Sequence, residues 1–215
     1  MKVQINSKQN IFFCSDPHYG HSGIVMGTSS WTDKSVCRPF QTIEDHDREL
    51  VNNINKTVGE NDILFSLGDW SFGSYKTGEN VTNIRKFREQ LSCKNIFLIL
   101  GNHDLEIQSN KDNVKELFSA VKNYLEIIVI EQPEIQGQKA NKQKIVLSHY
   151  SHRVWNNIHN GAWMLFGHSH GNLKGTEGKS MDVGFDTREE FKPYSYQEIK
   201  EIMESKETIK VDHHI

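Results

Sequence analysis

At 215 residues the chain fits one domain, or one domain with a long insertion. Charged residues make up 25% and aromatic residues 10%, ordinary values for a globular protein, and the net charge of -3 supplies no overall basic field to draw the chain onto nucleic acid or an anionic membrane. No apolar run approaches the roughly 20 residues of a membrane span, the first residues lack the apolar core of a signal peptide, and Cys14, Cys37 and Cys93 show no metal-type spacing, so a reducing, cytoplasmic setting is the simplest expectation.

In chain order, Ile11-Phe12-Phe13-Cys14-Ser15 reads as a short apolar strand that runs into Asp16-Pro17-His18-Tyr19-Gly20-His21. Asp16 and His18, two apart, point the same way if the backbone stays extended. Residues 22–41 have no clear period and are rich in Gly, Ser and Thr, which predicts a functional flap, closed by Arg38-Pro39-Phe40. Thr42-Ile43-Glu44-Asp45 opens a helix with a capping-box-like pattern, and Ile43, Leu50, Val51, Ile54 and Val58 form its apolar stripe. A second strand over 62–67 leads into Gly68-Asp69-Trp70, and a second helix over 80–91 follows.

Residues 95–100 then read as a strand buried on both faces, ended by Gly101 and followed by Asn102, His103 and Asp104. A third helix is expected over 112–121 from Val114, Leu117, Phe118 and Val121. This β-α-β-α-β-α order predicts a parallel sheet. The grammar then changes. Residues 124–130 and 143–148 look like an antiparallel pair separated by a polar stretch, 136–142, and Lys139, Lys142 and Lys144 of this hairpin belong to a solvated face. Short strands over 163–166 and about 181–183 follow, and Ser195-Tyr196-Gln197-Glu198 opens a last helix through Met203. The tail, including His213 and His214, reads as frayed.

Histidine is the outlier, with eleven in the chain. Five strands each end in a polar cluster: Asp16/His18, Asp69, Asn102/His103, His149 and His168/His170. Parallel strands put their C-terminal ends on one edge, so the first three clusters meet, and the other two need only be carried there. Nitrogen and oxygen donors without thiolate suit Mn, Fe, Zn or Ni, and fit Ca or Mg poorly. Seven donors are too many for one ion, but suit two ions about 3.5–4 Å apart with a carboxylate bridging them.

These motifs resemble those of the calcineurin-like metallophosphoesterases: Asp16-Pro17-His18, Gly68-Asp69, Gly101-Asn102-His103-Asp104, the lone His149, and Gly167-His168-Ser169-His170, all in order. Asp16 through Gly20-His21, Arg38-Pro39-Phe40 and Asp182-Val183-Gly184-Phe185-Asp186 further resemble a small bacterial and phage branch of that family. The resemblance implies an α/β chain with an α+β-like second half, a two-sheet mixed β sandwich flanked by helices, as one domain over 1–215 with the flap inserted. It implies that Asp16, His18 and His170 hold one metal, that Asn102, His149 and His168 hold a second, and that Asp69 bridges them. His103 would be the general acid or phosphate contact, with Asp104 orienting its ring. The expected cofactors are two divalent transition-metal ions, manganese favoured. The expected reaction is phosphoester hydrolysis by a metal-bridging hydroxide, diesters slightly ahead of monoesters or phosphoproteins.

His21 and Arg38 are candidates for substrate phosphate, against a loop histidine and a surface salt bridge respectively, and Asn102 is a substrate-binding candidate beside its metal role. His152 and His159 read as surface or groove residues, and Trp70, Phe72, Trp155 and Trp163 as core, with stacking on a nucleobase the alternative. The expected partner is a small phosphoester or nucleotide, or a short nucleic acid, with no membrane; oligomeric state is not legible. A non-catalytic scaffold on the same fold would show an eroded ligand set, which is not the case here. The His-x-His-x-Asp-His signature of the metallo-β-lactamase fold is absent, since Gly171, Asn172 and Leu173 follow His170.

Overall fold

The computed structural model describes residues 1–5, 9–132, 139–175 and 177–211, with the side chains of Gln4 and Ile5 left aside. The strands are β1 (Lys2–Ile5), β2 (Ile11–Cys14), β3 (Ile63–Ser66), β4 (Asn95–Ile99), β5 (Ala120–Lys122), β6 (Tyr124–Glu131), β7 (Asn141–Ser148), β8 (Trp163–Phe166), β9 (Ser180–Asp182) and β10 (Tyr194–Ser195). They form two five-stranded sheets, β1-β6-β7-β8-β9 and β10-β2-β3-β4-β5. In the second sheet β2, β3, β4 and β5 run parallel, and only β10 is antiparallel. In the first, β6 and β7 form the expected antiparallel pair, while β7, β8 and β9 run parallel.

The sheets face each other across Phe13, Phe65, Ile127, Val129, Ile145, Leu147 and Leu165, all fully buried, and the helix α4 (Tyr196–Glu204) closes this core with Ile199 and Met203. On the other side of the β2-β3-β4 sheet, α1 (Ile43–Thr57) and α2 (Glu79–Gln90) bury Leu50, Ile54, Ile84 and Phe87 against Leu64, Ile96 and Leu98. Strands covered on both faces read as continuous apolar runs, which is the pattern of 11–14 and 63–65. The caps follow the sequence: Thr42 accepts from the Asp45 amide, and Ser195 and Glu198 close a full capping box on α4.

Three strands escape the sequence reading. β1 lies alongside β6, β5 extends the parallel sheet beyond β4, and β10 pairs with β2 through two residues. The expected third helix over 112–121 is also corrected. A short α3 (Leu105–Gln108) is followed by a 3-10 segment over Lys111–Leu117, and Val121 stands on β5. Asn110, Asp112 and Asn113 adopt left-handed backbone, which Asn and Asp tolerate and which breaks an α-helix. Val114, Leu117 and Phe118 still reach the core, so the apolar spacing was real and the helix type was not.

The two sheets are stitched together at one edge. Ser15, just past β2, bridges Gly184, just past β9, and the Ser15 amide donates to Val183 O. The same edge receives the C-terminal end of β3, through Asp16 N–H to Gly68 O, that of β4, through His103 N–H to Asp69 Oδ1, and those of β7 and β8, through Gly167 N–H to His149 O. Of the expected polar connection 136–142, residues 136–138 fall outside the described residues, as do His213 and His214.

Candidate metal centre

The five strand ends converge. Asp16, His18 and His170 place one donor atom each within 4.8 Å of one another, and Asp69, His149 and His168 do the same. Asp69 lies between the two groups: its Oδ2 is 3.5 Å from His18 Nε2 and 3.6 Å from His149 Nε2. Asn102 joins the second group, with Oδ1 3.1 Å from His149 Nε2.

The backbone is bent to achieve this. Asp16, His18, Asp69, His168 and His170 all have positive φ, half of the ten non-glycine residues among the described ones that do. The expectation of an extended Asp16-Pro17-His18 is therefore corrected, because both outer residues sit near φ 50–56°. Such conformations persist only where the surroundings enforce them. Here the Asp16 and His18 amides are held by Gly68 O and Asp69 O, each at 3.0 Å. Two glycines are required by close approach. A Cβ on Gly101 would stand 2.2 Å from Asp69 Oδ1, and one on Gly167 would stand 1.8 Å from Ser15 Oγ.

The remaining ring nitrogens are aimed by hydrogen bonds. His149 Nδ1 donates to Leu67 O at 2.7 Å, and His170 Nδ1 donates to Asp186 Oδ2 at 2.6 Å, which leaves Nε2 of each for the centre. Asp69 Oδ1 accepts the His103 amide at 2.9 Å, leaving Oδ2 free. His18 Nε2 is buried and lacks a hydrogen-bond partner among the described residues, an expensive state for an imidazole nitrogen unless a further group satisfies it.

The electrostatics point the same way. Burial pushes the Asp16 carboxyl up to about 6, against the pull of His170 and His149. Burial, then Arg38 and the neighbouring histidines, hold His18 well below its usual range, so it stands neutral with a lone pair available. His168 is likewise lowered, by burial and then by His149. Burial lowers His170, but Asp186 and Asp16 outweigh it and raise the net value. A cluster of buried carboxylates and imidazole nitrogens around an unsatisfied nitrogen fits divalent transition-metal ions.

Around these donors, the half-buried His103 ring stands 5.4 Å from His18 and 5.2 Å, edge-on, from Phe72. His21 stacks on Phe72 at 3.9 Å and places Nδ1 3.4 Å from His18 Nδ1. Phe72 thus stands at the site, whereas Trp70, Trp155 and Trp163 are core residues. His152 turns to Ser148 Oγ and stacks on Tyr124.

Two expectations are corrected. Asp104 does not orient the His103 ring: its oxygens accept the amides of Gly101, Asp69 and Trp70 at 2.8–2.9 Å, so it shapes the loops instead. Burial, then Asp69, push its carboxyl up to about 6. Arg38 is neither a phosphate clamp nor a surface residue. It is buried, and its guanidinium is spent on Asp186, His46 and the carbonyls of Asp16 and Pro17.

Two site residues were given no role in the sequence. Asp186 was read only as the end of Asp182-Val183-Gly184-Phe185-Asp186, and nothing local shows what it does, since it lies 16 positions from the His170 it orients. Tyr150, next to His149, is half exposed and lays its ring edge-on to His168 at 4.7 Å and to His149 at 5.0 Å. Its adjacency to a strand-end histidine was the available clue.

Comparison with known proteins agrees with this geometry. The chain is 33% identical over 100 residues to the uncharacterized protein MJ1445 of Methanocaldococcus jannaschii, a match covering 46% of this chain and about half, 48%, of that protein. It is 25% identical over 173 residues to the Gene 66 protein of Mycobacterium phage L5, covering 75% of this chain and 77% of the phage protein. With the Gene 66 protein of Mycobacterium phage D29 it is 24% identical over 209 residues, covering 90% and 96%. The crystal structure of the protein of unknown function AQ665 from Aquifex aeolicus shares the fold, with a TM-score of 0.55 and 20% identity over 91% of this chain and all of that one. The family model for calcineurin-like phosphoesterases matches residues 9–191, which is most of the chain, and this chain belongs to that family.

Proposed function

We propose that the protein is a two-metal phosphoester hydrolase that prefers phosphodiesters. Asp16, His18 and His170 hold one cation, Asn102, His149 and His168 hold the other, and Asp69 serves both. The observation that carries this reading is the position of Asp69 Oδ2, nearly equidistant from His18 Nε2 and His149 Nε2. Divalent ions in these positions would supply Lewis acidity toward the phosphoryl oxygens and a water acidic enough to attack at neutral pH. The donor set favours Mn, Fe, Zn or Ni, with manganese first.

The chain's own residues do the rest. The His103 ring, set against Phe72 on a backbone whose N–H donates to Asp69 Oδ1, stands beside His18, where it can hold a proton for the leaving alkoxide. His21, stacked on the same Phe72, contacts a phosphoryl oxygen. Asp104 keeps the Asp69 and Asn102 loops in register by accepting three amides. Tyr150, half exposed, flanks His149 and His168 and leaves an aromatic surface beside the centre, which supports a substrate carrying planar ester groups. A nucleotide or a short oligonucleotide offers such groups. Residues 22–41 act as a flap on a single domain. The three cysteines, all free and buried, suit a reducing cytoplasm, and no helix among the described residues is long and apolar enough to cross a membrane.

The test is turnover of bis(p-nitrophenyl) phosphate and p-nitrophenyl phosphate by protein loaded with Mn²⁺, then Fe²⁺, Zn²⁺ and Ni²⁺. Metal-dependent hydrolysis with the diester ahead is expected. A folded sample inactive with every ion would overturn the reading, and a monoester preference would overturn its substrate half.

A further inference from the structure

The geometry points to Arg38 and Asp186 as a positioning pair that assembles the first metal subsite, with Arg38 aligning Asp16 and His18 through their backbone and Asp186 aligning His170 through its ring. This inference rests on the metal-centre reading above.

A guanidinium has five N–H donors, and every one in Arg38 has a partner. Nε donates to Asp186 Oδ1 at 2.8 Å and Nη2 to Asp186 Oδ2 at 2.7 Å, a two-pronged pair. Nη2 also donates to Asp16 O at 2.6 Å, and Nη1 donates to Pro17 O at 2.9 Å. The fifth N–H goes from Nη1 to His46 Nε2 at 2.9 Å, and His46 passes its Nδ1–H to Asp47 Oδ1. Asp47 in turn accepts the Gly20 amide.

The partners are chosen by place. Asp16 and Pro17 belong to the segment whose left-handed turns aim Asp16 and His18 at the centre. Asp186 Oδ2 accepts from Arg38 and from His170 Nδ1 at once, so a single carboxylate couples the guanidinium to the third ligand. The three donors of one subsite come from distant parts of the chain, after β2 and after β8, and Arg38 touches the scaffold of both.

Arg38 itself is also sealed from water. Phe191 lays its ring over the guanidinium, with Arg38 Cζ 5.1 Å from the ring centroid. Phe191 does so from a left-handed backbone, φ 47°, a costly conformation for a bulky residue, and Asn53 Nδ2 holds it by donating to the carbonyls of Glu190 and Phe191. Phe40 and Phe185 pack against the same ring. A carboxylate that fixes a ligand histidine from behind typically alters metal affinity about 10–100-fold when removed. Lysine offers three donors on a point charge and cannot reproduce five directed bonds.

The test is equilibrium Mn²⁺ binding by the full chain, with bound and free ion read by electron paramagnetic resonance. Wild type, Arg38→Lys, Asp186→Asn and, as a control on the same segment, the exposed Val36→Ser are compared, with circular dichroism in EDTA reporting the fold. Wild type and Val36→Ser should bind two ions and show the coupled-pair spectrum. Asp186→Asn and Arg38→Lys should hold one ion at wild-type affinity and the other about 10–100-fold more weakly, with the isolated-ion spectrum at intermediate loading. If Arg38→Lys does not fold, Asp186→Asn decides alone. If neither folds, the pair is a fold element and the assignment is overturned. Two equally tight ions in a folded Asp186→Asn would overturn the inference and leave the metal centre standing. No binding by wild type would overturn both.

Discussion

The Oδ2 atom of Asp69 lies 3.5 Å from Nε2 of His18, and that nitrogen, buried, makes no hydrogen bond among the described residues. The carboxylate stands a nearly equal 3.6 Å from His149 on its other side. A residue shared between two donor groups should cost both when it is lost. Asp69→Asn is expected to weaken both Mn²⁺ sites and to lower kcat/KM by more than the roughly 100-fold that marks the upper range for supporting residues. Calorimetric titration with Mn²⁺ checks this, and a variant that still binds two ions tightly would contradict it.

His103 presents a different dependence. Only its backbone amide contacts Asp69, and alanine keeps that bond. His103→Ala should therefore retain its metal content while kcat for bis(p-nitrophenyl) phosphate falls by about 10²–10⁴-fold. Element analysis beside the kinetics separates the two effects. Loss of metal together with activity would make His103 a ligand rather than a proton donor.

Gly167 is held to a hydrogen by its neighbours. With Ser15 Oγ at 1.8 Å and Asp16 Oδ2 at 2.5 Å from a Cβ built there, Gly167→Ala must displace the first strand end of the centre. Overpacking of this kind costs about 1–3 kcal/mol, read as a lower urea midpoint in EDTA at unchanged slope. An unchanged midpoint would mean that the sheets part freely at this edge.

His21 links stability to pH. Burial, then the charges of His103 and Arg38, lower it from 6.5 to about 4 in the folded chain. Its contribution is present above the unfolded value and is lost as pH falls through the window from about 6.5 to about 4. In EDTA, wild type should thus lose stability relative to His21→Gln over that range, measured by urea unfolding at several pH values. Parallel curves would show that His21 titrates normally.

The legible part of this protein is its strand ends. Apolar runs at 11–14, 63–65 and 96–99 are covered on both faces and announce themselves, and polar side chains after each mark the edge where they stop. What was hidden depends on contacts distant in sequence. Asp186 takes its meaning from His170 and from Arg38, 148 positions earlier. Arg38 read as a phosphate clamp or a surface salt bridge because nothing local shows that five acceptors await it. Asp104 follows His103 directly, yet its oxygens turn back to Gly101, Asp69 and Trp70. The 112–121 segment kept its apolar spacing, while Asn110, Asp112 and Asn113 took the left-handed turns that a helix forbids.

The most direct test is the number of metal ions per chain. Protein stripped with EDTA, saturated with Mn²⁺, desalted and analysed for metal and protein should carry about two ions per chain, the complement of a bridged pair. A folded sample that retains none would contradict the shared role of Asp69 and the hydrolytic reading built on it.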